Sequence, residues 1–318
     1  MIKIISMSLI FILTVFLLTA CSVEENKGEG KLKIVTTNFA EYDWVRNIIG
    51  SSEAFEITML GGGVDMHSYQ PTATDIITIS DCDMFVYVGG ESDAWVTDVL
   101  QGNINENMEI ITLMDILGDK AKTEEIVEGM QEESEEDGEE EYDEHVWLSL
   151  RNASEFCNHI EKSLEKLDPD NKDSYETNLQ NYTQKLSELD KKYTDAVSNA
   201  KTKTLLFGDR FPFRYMTEDY GIEYYAVFAG CSAETEASFD TITFLAHKAD
   251  ELSLNCVITI DGSDKKIAET IIENTKTKSQ KILTLDSMQS VTMTDIENGE
   301  MYLSVMEQNL SVLSQALN

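Results

Sequence analysis

The apolar positions of this chain change period again and again. "LKIVTT" (32–37) is a short β-branched run and reads as a buried strand, after which "AEYDWVRNII" (40–49) spaces its apolar residues as one face of a helix. "FEITML" (55–60) is a second strand, followed by a Gly-rich loop and a helix from about Thr72 with Ile76, Ile77 and Ile79. The strand "MFVYVG" (84–89), the helix "AWVTDVL" (94–100) and the strand "EIITL" (109–113) keep the rhythm. Strands alternating with helices predict βαβ units and a parallel sheet.

The middle of the chain is helical. From about Asn152, Ala153, Phe156, Ile160, Leu164 and Leu167 share one face. That helix must end near Asp168-Pro169, which also suit the N-cap and first position of the next one. There Tyr175, Leu179, Tyr182, Leu186, Leu189, Tyr193 and Val197 recur at spacings of three and four. A helix from Pro169 to Ala200 would be about 48 Å long at 1.5 Å per residue, which predicts a strut between two lobes. The second half then repeats the first: strands "TLLFG" (204–208), "YYAVF" (224–228), "CVITI" (256–260) and "KILTL" (281–285), with helices "FRYMTEDYG" (213–221), "SFDTITFLAHKADEL" (238–252) and "KIAETIIENT" (266–275), and a closing helix from about Glu297 to Leu317. The expected fold class is α/β: two lobes, each with a four-stranded mainly parallel sheet flanked by helices, joined by a long rigid linking helix. The first lobe takes 31–150, the helices 151–200, and the second lobe 201–318.

Two stretches stand outside this pattern. Met1-Ile2-Lys3 is a basic start, and Ile4 to Leu18 is an apolar run too short for a comfortable membrane span. Leu18-Thr19-Ala20-Cys21 and the polar residues after it resemble the lipobox of bacterial lipoproteins. The resemblance implies a signal peptide at 1–20, lipidation of Cys21, a tether at 21–30 and an extracellular, lipid-anchored protein. The second stretch is an acidic loop at 119–144: from Thr123 to Glu144 there are thirteen acidic residues and no Lys or Arg. Such a block repels itself and reads as a mobile surface loop.

Charge sharpens the list of partners. The formal net charge is −35, with a sequence pI near 4.2. Such a chain is repelled by nucleic acid and by anionic headgroups and attracts cations. Cys82, Cys157, Cys231 and Cys256 are widely spaced, with no CxxC and no small disulfide framework. Cys82 before "MFVYVG" and Cys256 opening "CVITI" read as ordinary buried thiols.

Ligands of open α/β sheets bind at the carboxyl ends of the strands, and in two-lobed proteins between the lobes. Of the four histidines, His67 follows "ITML" and His145 precedes an apolar stretch after the acidic loop. Asp209 follows "LLFG", Asp261 follows "CVITI" and Asp286 follows "KILTL". Imidazole with carboxylate is a ligand set for zinc, and serves manganese and iron as well, while a strand-end aspartate serves equally as a helix N-cap. His159 and His247 fall off the apolar faces of their helices and read as solvated. HExxH, a phosphate-binding Gly-rich loop and a Ser-His-Asp arrangement are all missing from the sequence.

Several stretches together resemble the zinc- and manganese-binding lipoproteins of bacterial ABC importers. They are "GVDMHSYQPTATDI" and "DEHVWLSLRNA" above all, with "KIVTTNFAEYDWVRNIIG", "DCDMFVYVGGESDAWV", "YGI" (220–222) and "ETEASF" (234–239). The resemblance implies two lobes, a rigid linking helix and a metal site in the cleft, with His67 and His145 as the first two ligands. The family's third ligand, a His or in manganese proteins a Glu, falls on Arg210 when counted back from Phe213 and Tyr215. A guanidinium cannot ligate a metal. Asp209, one residue earlier, can, and Cys231 is an alternative soft ligand. The fourth place falls on Asp261, as in zinc binders, or on Asp286, as in manganese binders. Arg210 can instead close the cleft by pairing with Glu234, Glu236 or Asp209.

The expected function is therefore capture of a divalent transition metal, zinc first and manganese second. The metal would be delivered to a permease driven by a cytoplasmic ATPase, by a monomer that performs no catalysis. Two readings stand beside it: a cleft for an anionic ligand or metal chelate held by Arg210, and an adhesin or scaffold lipoprotein acting through its acidic loop.

Overall fold

The first strand is buried along its second half, and what surrounds it explains why it is continuous in apolar residues. The computed structural model describes residues 30–131, 141–232 and 236–318. The signal peptide, Cys21 and Glu234 lie outside the described residues. The first lobe contains β1 (Leu32–Thr36), α1 (Phe39–Ile49), β2 (Phe55–Met59), α2 (Ala73–Ser80), β3 (Met84–Tyr87), α3 (Trp95–Leu100), β4 (Glu109–Thr112) and α4 (Leu113–Leu117). Its sheet has the order β2-β1-β3-β4 and every pair is parallel. With helices on its faces β1 needs no polar alternation, so Ile34, Val35 and Thr36 are all buried. α1 starts at a capping box in which Glu41 N donates to Asn38 Oδ1 (3.1 Å) and Asn38 N to Glu41 Oε2 (3.2 Å).

α5 (Leu150–Leu167) and α6 (Lys172–Ser198) follow. α6 has 27 residues, about 40 Å at 1.5 Å per residue, and its whole apolar stripe from Tyr175 to Val197 is buried. It touches both lobes. Asn178 Nδ2 donates to the Ile48 carbonyl of α1 at 3.0 Å. Farther along, the Tyr193 ring stacks on Tyr220, with centroids 5.0 Å apart.

The second lobe contains β5 (Thr204–Leu206), β6 (Arg210–Phe211), α7 (Arg214–Tyr220), β7 (Glu223–Tyr225), β8 (Phe228–Ala229), α8 (Phe239–Glu251), β9 (Cys256–Ile260), α9 (Lys266–Asn274), β10 (Lys281–Leu285), α10 (Met293–Glu297) and α11 (Tyr302–Ala316). β5 pairs with β7 and β9 with β10, all parallel, and a parallel bridge between Phe207 and Ile258 links the two pairs. Tyr193 Oη donates to the Met306 carbonyl of α11 at 2.6 Å, tying α6 to this lobe.

Four details differ from the sequence expectation. "YYAVF" is not one strand, because Val227 N turns to the Asp209 carbonyl (3.2 Å) and the chain leaves β5 to pair with β6. The closing helix is two, α10 and α11, divided at Gly299, whose φ of +99° ends the first. In α2 only Ile79 is buried, while Ile76 and Ile77 face solvent. The acidic segment also proves ordered at both described ends: Thr123 bridges to Tyr142 antiparallel, and Met130, Asp143 and Glu144 are buried.

Candidate metal centre

His67 stands just beyond the carboxyl end of β2, in a single 3-10 turn at Met66–Ser68. Asp65 caps that turn by accepting from His67 N at 3.1 Å. The ring is only 12% exposed. Its Nδ1 lies 2.7 Å from Ser92 Oγ and 3.9 Å from Glu144 Oε2. Glu144 is set in turn by the Ser92 amide, which donates to its Oε1 at 3.1 Å. Gly90, at φ +87°, makes room for it: a Cβ there would stand 2.2 Å from Glu144 Oε1.

His145 is fully buried at the end of the acidic segment, with its ring 5.3 Å from that of Trp147. Asp143 Oδ1 accepts from both its backbone N (2.8 Å) and its Nδ1 (3.1 Å). An ionised carboxylate only accepts, so Nδ1 carries the proton and Nε2 presents a lone pair. This is the arrangement in which an outer carboxylate fixes the tautomer of a ligating imidazole.

The two Nε2 atoms face each other at 3.2 Å. Two nitrogens each about 2.0–2.1 Å from one tetrahedral zinc would lie about 3.3–3.4 Å apart. Burial, and then the neighbouring His145, push the His67 imidazole down to about 3, so it is neutral and able to ligate at physiological pH. Among the described residues, the ligand atoms of His67, His145 and Cys231 all lie within 4.8 Å of one another. Cys231 is partly exposed. Burial, then the Glu124 and Asp143 carboxylates, raise its thiol well above the usual range. The same negative field favours a cation.

The three strand-end aspartates are not in that group. Asp261 spends both oxygens on the loop after β10: Oδ1 accepts from Ser287 N (2.6 Å) and Oγ (2.7 Å), and Oδ2 from Ser290 N and Oγ. Asp286 caps the same loop by accepting from Met288 N at 2.7 Å, and burial followed by repulsion from Asp261 pushes it up to about 6. Asp209 lines a cleft cavity of about 560 Å³ together with His67, Asp261 and Ser290. Its Oδ2 is buried with no hydrogen-bond partner. Arg210 does not pair as expected. Its Nη2 bonds Asp65 Oδ2 in the other lobe at 2.5 Å, and its Nη1 donates to the Ser232 carbonyl at 3.4 Å. Asp209 Oδ1 accepts only the backbone N of Arg210 (2.9 Å), and Glu236 is exposed. Burial pushes the Asp65 carboxyl up, but Arg210 overcomes this and holds it below the ordinary range.

Sequence reasoning passed over Asp143, Glu144, Ser92 and Glu124. The first two were readable as the residues before His145 in "DEH". Glu124, whose Oε1 accepts from Cys231 N at 2.8 Å, was hidden in a run of like charges. His159 and His247 are exposed on α5 and α8, as expected.

Residues 34–316 match the family model described as zinc-uptake complex component A, periplasmic (ZnuA). The chain is 32% identical over 299 residues to the zinc-binding lipoprotein AdcA of Streptococcus pneumoniae (strain ATCC BAA-255 / R6), covering 94% of this chain and 58% of that one. It therefore spans less than two thirds of that relative's length. It is 28% identical over 312 residues to the high-affinity zinc uptake system protein ZnuA of Bacillus subtilis (strain 168), covering 95% and 94%. The Zn(II)-bound ZnuA-like domain of Streptococcus pneumoniae AdcA shares its fold with a TM-score of 0.71 at 29% identity, over 91% of this chain and 99% of that one.

Proposed function

Because the chain belongs to the zinc-uptake complex component A family, we propose that it is an extracellular, lipid-anchored receptor that captures zinc between its lobes and delivers it to an ABC permease. The permease would be driven by a cytoplasmic ATPase, and the anchor would be the lipidated Cys21. The observation that carries this reading is the pair of Nε2 atoms 3.2 Å apart, with one Nδ1 committed to a carboxylate. Two imidazoles aimed at one point have a use for a cation between them. The relatives named for zinc give that cation its identity.

His67 and His145 hold the metal, Asp143 fixes the His145 tautomer, and Ser92 orients the His67 ring. Asp209 is the cleft carboxylate with an oxygen to spare for completing the set. Asp261 and Asp286 also brace the loop after β10, which favours Asp209 over them for completing the set. A cargo site needs no activated water, and we assign no catalytic step to it. The anionic-ligand reading loses its main support, since the Arg210 guanidinium is already held by Asp65 and the Ser232 carbonyl.

Calorimetric titration of the chelator-stripped protein with zinc and manganese tests this. Zinc should bind more tightly than manganese, and the His67→Ala/His145→Ala variant should lose zinc binding while keeping its helical circular dichroism. Undiminished zinc binding by that folded variant would sink the proposal.

A further inference from the structure

The structure assigns the third metal ligand to Cys231: we propose that the cargo is held as a thiolate by Cys231 beside His67 and His145. This rests on the zinc-receptor reading and deepens it. Arg210, where the family's third ligand was expected, is turned away to Asp65 in the other lobe. Cys231 supplies the missing donor, from the loop after β8, with its ligand atom within 4.8 Å of those of both imidazoles.

The surroundings of Cys231 support the assignment. The loop runs so close to His145 that a Cβ on Gly230 would stand 3.2 Å from ring atoms Cε1 and Nδ1 and 2.9 Å from the Phe211 carbonyl. Only a glycine brings the next residue that near. The Cys231 backbone is held by Glu124 Oε1 at 2.8 Å. Glu124 belongs to the first lobe, so the backbone of Cys231 is anchored across the cleft. The thiolate is the form that binds metal, so an incoming cation must displace the thiol proton. Cys82, Cys157 and Cys256 are buried thiols apart from this cluster.

A donor set of two imidazoles and one thiolate is softer than nitrogen with carboxylate alone. It ranks zinc and cadmium above manganese by ligand type, not geometry alone. On binding, the metal takes the place of the thiol proton, which is released to solvent, and no electron changes hands.

Cobalt(II) is a spectroscopic stand-in for zinc, because a cobalt–thiolate bond gives a near-ultraviolet charge-transfer band that cobalt–imidazole does not. The cobalt-loaded full chain should show that band, and Cys231→Ser should lose it. Zinc affinity of Cys231→Ser, read by competition with a chelator, should fall about 100-fold or more, the upper end of what loss of an outer-shell partner costs. Cys231→Ala, with its apo unfolding midpoint measured alongside, separates ligand loss from misfolding. A folded Cys231→Ser protein that keeps the band or the zinc affinity overturns the thiolate assignment. If the double-histidine variant still loses zinc in that case, the receptor reading stands without it. If that variant keeps zinc, both fall.

Discussion

Arg210 of the second lobe and Asp65 of the first form an ion pair across the cleft at 2.5 Å, and the other oxygen of Asp65 caps the turn that carries His67. One carboxylate thus ties the closure of the cleft to the orientation of a ligand. Arg210→Ala should weaken zinc binding by about 10-fold, the size of one charge-assisted hydrogen bond, without abolishing it. Competition titration against a zinc chelator measures the change. Complete loss of binding would mean that the guanidinium holds the ligand itself.

Asp143→Asn replaces an acceptor by a group that can also donate toward His145 Nδ1, and so frees the wrong tautomer. Zinc affinity should fall about 10- to 100-fold, as for other outer-shell partners of a metal-bound histidine. The protein should still fold, because Oδ1 of Asn can accept from the His145 backbone. Titration beside a thermal melt checks both halves of this statement.

Gly90→Ala tests how His67 is positioned. The new Cβ would enter at φ +87° and lie 2.2 Å from Glu144 Oε1, so it would displace the carboxylate or strain the loop. A residue held in such a region costs on the order of 1–3 kcal/mol. The urea midpoint should drop accordingly, and zinc affinity should drop with it, because Glu144 stands beside the His67 ring.

Much of this was legible in the chain, for physical reasons that can be named. β1 and β9 are short continuous apolar runs that read as buried strands, and α6 is long and strongly periodic, so its buried face follows from hydrophobic spacing. His67 and His145 were legible because so few histidines are present and both sit at loop boundaries. The partner of Arg210 was not, because Asp65 is 145 residues away and nothing local encodes a contact across a cleft. Cys231 was legible only as an alternative soft ligand, and its closeness to both imidazoles shows only in the fold, where Gly230 passes close against His145. Asp261 was legible as a strand-end carboxylate with the chemistry of a ligand, but that its oxygens accept from Ser287 and Ser290 was not.

Acid should affect the metal-free protein through Asp93. Burial, and then the nearby Glu144, lift its carboxyl to about 6, although the Gly89 amide opposes the rise. A carboxyl whose folded value exceeds its unfolded value of about 4 binds more protons in the native state between those values. Stability contributed by the protonated form is therefore present below about pH 4 and lost as pH rises through about 6, by up to about 3 kcal/mol for two units. Asp93→Asn should flatten that slope. Urea midpoints of the chelator-treated proteins at pH 4, 5, 6 and 7 measure it.

α6 has one more consequence. An unbroken helix of 27 residues, glued at one end to α1 through Asn178 and at the other to α11 and α7 through Tyr193, resists bending as a beam does. Opening the lobes like a jaw would mean breaking its hydrogen-bond ladder or peeling off a buried stripe of seven side chains. That leaves the loops at the cleft mouth to move: the turn at Met66–Ser68 and the passage from Phe228 to Ser232. Loading and release then become a matter of trapdoors in a stiff frame, and small-angle scattering should find nearly the same molecular radius with zinc and without it.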